Sequence, residues 1–198
     1  MKFLGLWLVC AVHVACTTTV PAGSGAESPA NSVRVGVGGN SLDESYWGKV
    51  DQQLVIAFEY VREAPGAPLG FEAGFQTAAT TDHDSASGVG EFDTTSSVFE
   101  LYGGLHKTFR SDSVVQPFVG AGVTFVETGL EVAFDTYTLD DDDTSFGFYV
   151  HGGVQARVTT NLVIGLDVRV VRGTTVTLFD ESGDADYEQA LLIVGLAF

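Results

Sequence analysis

Ala190-Leu191-Leu192-Ile193-Val194-Gly195-Leu196-Ala197-Phe198 is the stretch that decides the fold. In an extended strand successive side chains point to opposite faces. Leu192, Val194, Leu196 and Phe198 therefore share one bulky apolar face, and the other face ends in Gly195 and Ala197. Period-2 segments of the same kind run back through the chain. They predict eight strands at residues 32–39, 53–62, 69–78, 96–109, 115–128, 145–158, 161–173 and 187–198. No long stretch carries the 3.6-residue apolar repeat of a helix, and the chain is rich in Gly, Val and Phe, so the fold class is all-β.

Alternation alone does not separate a membrane barrel from a β-sandwich or a soluble lipocalin-like barrel. The content of the faces does. In residues 161–173, Leu162, Ile164, Leu166, Val168 and Val170 oppose Val163, Gly165, Asp167, Arg169 and Val171. In residues 53–62, Leu54, Ile56, Phe58 and Tyr60 oppose Val55, Ala57 and Glu59. The mixed face carries Gly, Ala and charges of both signs, with almost no Lys. That suits a narrow lumen, where eight strands leave room only for side chains. The bulky face suits lipid. Each segment reaches the roughly 9–11 residues of a tilted membrane strand, apart from a shorter first one. The expectation is an eight-stranded antiparallel up-and-down transmembrane β-barrel.

The connections alternate short and long, which puts both termini at the short-turn end, as in outer-membrane barrels. The long loops are expected at 40–52, 79–95, 129–144 and 174–186. They collect the acid: Asp43, Glu44, Asp82, Asp84, Glu91, Asp93, Asp135, Asp140 to Asp143, Asp180, Glu181, Asp184 and Asp186. The net charge of -17 argues against a nucleic-acid partner, since phosphate binding needs clustered Lys and Arg. Tyr46, Trp47, Phe109, Phe146 and Phe198 stand near strand ends, where interfacial girdles are expected; Trp47 reads equally as a loop anchor.

Residues 1–15 read as a signal peptide, with Lys2 ahead of an apolar run too short to span a bilayer. Residues 16–31 read as a flexible tether and 32–198 as the barrel domain. Val14-Ala15-Cys16 resembles a bacterial lipobox, which makes Cys16 a lipidation candidate, although His13 stands where an aliphatic residue is preferred. Cleavage near Ala22 or Ala26 is the alternative. With Cys10 in the signal, no internal disulfide is expected.

The charges on the mixed face form a set: Arg34, Glu59, Glu72, Glu100, His106, His151, Arg157, Asp167 and Arg169. Isolated charges in a closed interior are costly, so these should pair. Counting from the short turns, Arg34, Glu59, Glu72, His106 and Arg157 lie low, and Glu100, His151, Asp167 and Arg169 lie nearer the middle. Two salt-bridged layers plugging the lumen are expected.

No catalytic signature is present: no G-x-S-x-G elbow, no P-loop, no H-E-x-x-H and no Cys pair. Gly36-Val37-Gly38-Gly39 lies inside a strand, with no helix after it. Asp140-Asp141-Asp142-Asp143 does not match an EF-hand loop and reads as a solvated charge run. Neither a catalytic residue, a metal nor a cofactor is expected.

Gln116-Pro117-Phe118-Val119-Gly120-Ala121-Gly122-Val123, and later the run from Gly152 through Arg157 to Leu162, resemble the middle strands of small outer-membrane β-barrels of the OmpA-like and opacity-protein type. In that group the C-terminal Phe, here Phe198, serves as an assembly signal. The resemblance implies location in the outer membrane of a Gram-negative-type bacterium. The partners it implies are outer-membrane lipid, lipopolysaccharide and the barrel assembly machinery. The chain is expected to be a monomer, with its extracellular partner unnamed. The implied function is a non-enzymatic, envelope-structural or surface-interaction barrel with acidic external loops; the alternative is a narrow porin-like channel or a conduit for small hydrophobic solutes.

Overall fold

The computed structural model describes residues 30–42, 44–86, 90–109, 113–134 and 136–198. The signal, most of the tether, Cys16, Asp43 and Asp135 lie outside the described residues. Eight antiparallel strands close into a barrel. In chain order the elements are β1 (Asn31–Leu42), α1 (Glu44–Trp47), a 3-10 turn (Gly48–Val50), β2 (Gln52–Arg62), β3 (Gly70–Ala86), β4 (Gly90–Thr108), β5 (Val115–Phe134), β6 (Thr138–Arg157), β7 (Leu162–Arg172), β8 (Thr175–Leu178), β9 (Glu181–Asp184) and β10 (Tyr187–Ala197). The barrel order is β1-β10-β7-β6-β5-β4-β3-β2, and β8 and β9 form a separate hairpin. Closure leaves no unpaired sheet edge in the lipid-facing wall, which a bilayer requires because nothing there can satisfy a free N–H or C=O.

The seam is β10 against β1, from Ser32 opposite Ala197 to Leu42 opposite Tyr187. Beyond the last ladder pair, Phe198 N–H donates to Asn31 O at 2.9 Å and Asn31 N–H donates to Phe198 O at 3.1 Å. The terminal residue thus secures the end of the seam. The β2–β3 turn has Gly66 at φ +76, a conformation that favours glycine.

The outer surface inverts the soluble rule. Phe146, Phe148, Leu54, Leu196 and Phe198 are 74, 69, 64, 59 and 62% exposed. Side chains one position away, such as Val55, Tyr149 and Val163, are buried inside. A continuous bulky apolar belt around a closed sheet is a lipid-facing surface.

The expected long loops are largely sheet. β3 pairs with β4 as far as Ala86 opposite Gly90, and β5 with β6 as far as Ala133 opposite Thr138. Asp82, Asp84, Glu91, Asp93 and Asp140 to Asp143 therefore stand on strands that extend beyond the barrel, rather than in loops over 79–95 and 129–144. Apart from Leu130, Val132 and Phe134 on one face of β5, these stretches are rich in Thr and Asp, residues that read as loop. His83, within the expected 79–95 loop, lies on β3 opposite Asp93. The 40–52 connection begins as β1 and then forms α1 and the 3-10 turn, and 174–186 contains the β8–β9 hairpin.

Trp47 and Tyr46 do not join a girdle. Trp47 is 5% exposed, in an apolar cluster with Leu42, Val50, Val176, Leu178, Ala185 and Tyr187. Its Nε1–H donates to Asp184 O at 3.0 Å, and Tyr46 OH donates to Glu181 O at 2.8 Å. These contacts fold the first external connection and the last one together over the lumen.

Within the Asp140–Asp143 run, Asp141 and Asp143 have a definite job. Asp141 Oδ2 accepts from Phe179 N–H at 2.6 Å, Asp143 Oδ2 from Thr177 N–H at 2.7 Å, and Ser145 Oγ from Thr175 N–H at 3.0 Å. Alternate side chains of β6 thus satisfy alternate amides of the hairpin. The N–H groups of Thr177 and Thr144 hold the Asp143 carboxyl below its ordinary range. Asp140 and Asp142 point the other way and stay exposed.

Candidate functional site

The lumen is the candidate site. Period-2 alternation sends one residue in two inward, and the stagger between strands decides which of them meet. Arg34 of β1 donates through Nη1 to Glu59 Oε1 at 3.0 Å, and the same nitrogen lies 3.3 Å from His106 Nε2. His151 sits between two carboxylates: Nδ1 is 3.0 Å from Asp167 Oδ1, and Nε2 is 3.0 Å from Glu72 Oε2. Carboxylates only accept, so both contacts hold together only when each ring nitrogen carries a proton.

Gly120 makes this arrangement possible. The His151 ring and a Glu72 oxygen occupy the space a Cβ at position 120 would need. Only glycine lets β5 approach that closely.

Arg169 fills the middle of the lumen and is 1% exposed. Its guanidinium carbon lies 3.7 Å from the Tyr102 ring centre and 4.7 Å from that of Tyr149. Nη1 donates to Glu100 Oε1 at 3.4 Å, and Nη2 is 3.7 Å from Glu59 Oε2. Glu100 also accepts from Gln76 Nε2 and from Thr124 Oγ1, each at 2.6 Å, and from Tyr187 OH. Tyr149 OH donates to Glu72 Oε1 at 2.6 Å. The cavity beside Arg169 is about 10 Å³, room for one water at most.

Eight of the nine charged residues expected in the lumen lie in one cluster. It is not two separate layers. Glu72, expected low, reaches up to His151. Glu59 pairs with Arg34 on one side and Arg169 on the other, and so joins the levels. Arg157 stands apart in forming no ion pair among the described residues; its buried Nε, like those of Arg34 and Arg169, has no hydrogen-bond partner. His106 Nδ1 is 3.6 Å from Glu63 Oε2, too far for a hydrogen bond, and is likewise unpartnered.

Sequence reading missed the neutral half of the network: Tyr102, Tyr149, Tyr187, Gln76, Gln189 and Thr124. For Tyr102, Tyr149 and Tyr187 the signal was available, because Glu100, His151 and Gln189 share their inward faces two positions away; Gln76, Gln189 and Thr124 meet Glu100, Arg169 and Tyr102 only through strand register. Glu59, Glu72 and His151 also place one ligand atom each within 4.8 Å of one another. Arg34 and Arg169 flank Glu59, and His151 bonds Glu72, so these ligand atoms are already engaged within the lumen.

At the short-turn end lies an open vestibule of about 300 Å³, lined by Arg34, Lys107, Arg157, Glu63, Gln116 and Gln155 among others. Lys107 Nζ donates to Glu63 Oε1 at 2.6 Å, and Thr108 N–H donates to Glu63 Oε2 at 2.8 Å.

Solved structures share this architecture. Ail, the attachment invasion locus protein of Yersinia pestis in complex with the heparin analogue sucrose octasulfate, superposes with a TM-score of 0.60 at 15% identity, covering 85% of this chain and 97% of that one. Neisserial surface protein A gives 0.57 at 15% identity, over 85% and 96%. The outer membrane protein OprG from Pseudomonas aeruginosa gives 0.57 at 15% identity, over 88% and 98%. At such identities the likeness concerns the fold alone. No curated relative matches the sequence. The family model described as outer membrane protein beta-barrel domain matches residues 8–198. A closed eight-stranded sheet, apolar towards lipid and filled with paired charge within, is thus joined by a match over nearly the whole sequence: the chain belongs to the outer membrane protein beta-barrel domain family and resides in the outer membrane of a Gram-negative-type bacterium.

Proposed function

We propose that this barrel is a non-enzymatic, monomeric outer-membrane protein whose lumen is plugged and whose work is done by its acidic external end. The observation that carries this reading is Arg169, wedged between Tyr102 and Tyr149 and tied to Glu100 and Glu59, with about 10 Å³ free beside it. A pore needs a continuous wet path, and a packed cationic plug in an eight-stranded lumen opposes one.

The external end presents Asp140, Asp142, Glu127, Glu131 and Asp180 to solvent. Among the described residues, Lys49, Arg172 and, when protonated, His83 are the cations at that end, and each is already paired, with Asp84, Glu188 and Asp93. Ail was solved with a polysulfated sugar, but an acidic end repels a ligand of that sign. A surface partner for this chain is therefore cationic, or reaches the surface through divalent ions shared with lipopolysaccharide. The apolar belt supports outer-membrane lipid as its surroundings, and Phe198 supports recognition by the barrel assembly machinery.

Planar-bilayer recording of the purified barrel tests the plug. Wild type is expected to show no steady unitary current. Steady currents in wild type, enlarged in Arg169→Ala, would instead make it the narrow channel.

A further inference from the structure

We infer that the periplasmic vestibule is a binding site for a small phosphate-like oxyanion, held by Arg157. The cavity, about 300 Å³, is at the small end of the range for ligand sites. Among the described residues three cations line it, and two are paired with carboxylates. Arg34 is 3% exposed and bonded to Glu59 at 3.0 Å; Lys107 is bonded to Glu63 at 2.6 Å. Arg157 has no acidic partner among the described residues, and its Nε is buried without a hydrogen bond. Among the described residues, the vestibule therefore carries one positive charge without a carboxylate partner.

Such a group in a protein of net charge -17 is unusual, because an intramolecular carboxylate would satisfy it at little cost. Gln155, two positions before Arg157 on the same inward face of β6, adds a second free group. Its Nε2 donates to Gln116 Oε1 at 3.1 Å, and its buried Oε1 has no partner. A fork of donors next to a lone acceptor matches an oxyanion with one protonated oxygen. Hydrogen phosphate or a phosphomonoester would accept from the guanidinium and donate to Gln155. Arg rather than Lys at this point favours such planar, two-pronged recognition. The site faces the periplasm below the plug, so it does not depend on whether the lumen conducts.

The test uses the full barrel in detergent micelles and inorganic phosphate as probe. The readout is the backbone amide resonances of residues 155–157 in 15N NMR, which every variant retains, with sodium chloride of equal ionic strength as the reference. Phosphate should shift these signals saturably, and chloride should not. Arg157→Gln should weaken binding at least about ten-fold, the loss expected of one charge-assisted hydrogen bond. Arg157→Lys should fall between. Arg62→Gln, outside the vestibule on β2, should bind as wild type does. A second arm adds micelles doped with a short-chain phosphatidic acid: competition with phosphate would mark a lipid headgroup as a source, and its absence a soluble anion. A linear response matching that of chloride, or unchanged binding in Arg157→Gln, would overturn the proposal.

Discussion

Removing the Arg169 guanidinium should destabilise the barrel by about 3 kcal/mol, and the structure explains why the loss is not larger. Taking one partner from a buried ion pair costs roughly 3–5 kcal/mol, and a desolvated cation–π contact such as that on Tyr102 adds about 2. Against this, neither carboxylate is stranded. Glu59 keeps Arg34 at 3.0 Å, and Glu100 keeps Gln76, Thr124 and Tyr187. Their retained bonds pull Arg169→Ala toward the lower bound. Arg169→Met with Glu100→Gln removes both charges while keeping volume, so it should be at least about 1 kcal/mol less damaging than the two single changes summed. Urea unfolding of the barrel in lipid vesicles, followed by loss of the heat-modifiable band on unboiled gels, measures wild type, Arg169→Ala and the three members of the Met–Gln cycle. A loss below about 1 kcal/mol for Arg169→Ala, or strict additivity in the cycle, would refute the claim that Arg169 is the keystone of the lumen.

Burial would raise the Glu63 carboxyl, but Lys107 and the Thr108 N–H outweigh it and hold it below its ordinary 4.5. Its stabilisation is then full above that value and is lost as pH falls through the lower folded value. Glu63→Gln should thus be less stable at neutral pH, with the gap closing in strong acid; an equal gap throughout would count against the pairing. The Asp93 hydrogen bond at 2.5 Å raises the exposed His83 ring above 6.5. What it contributes is complete below 6.5 and fades as pH rises through the folded value. An NMR titration should find the His83 midpoint above 6.5, moving down in Asp93→Asn; no movement would exclude the ion pair. Trp47→Ala should remove about 3–5 kcal/mol from the external cap. Protease should then cut residues 174–186 faster while the barrel keeps its heat-modifiable migration; unchanged cutting would mean that Trp47 does not hold the cap.

Much of the fold was legible because lipid and lumen impose opposite demands on alternate residues. Leu162 to Val170 and Leu192 to Phe198 declare their outer face with no reference to any other strand. Strand number and the end at which short turns gather followed from the spacing of such segments. What escaped was sheet outside the membrane. In β5 and β6, residues such as Glu131, Thr138 and Asp140 are held by cross-strand pairing, and their polar local sequence looks like loop. The Asp140–Asp143 run misled for the same reason: its role depends on amides of Thr177 and Phe179, more than thirty residues away.

The candidate site divides along the same line. That Glu72, His151, Asp167 and Arg169 face inward is a matter of parity within each strand, and parity is local. That Glu72 reaches His151 across 79 residues, or that Glu59 stands between Arg34 and Arg169, depends on the stagger of strands around the closed sheet. Parity can be counted along one strand, whereas stagger is set jointly by eight pairings. The sequence by itself determined the membrane barrel, its inward charges and its acidic end. Tertiary structure alone decided which charges meet, which tyrosines sandwich Arg169, and that Arg157 is left without a partner among the described residues.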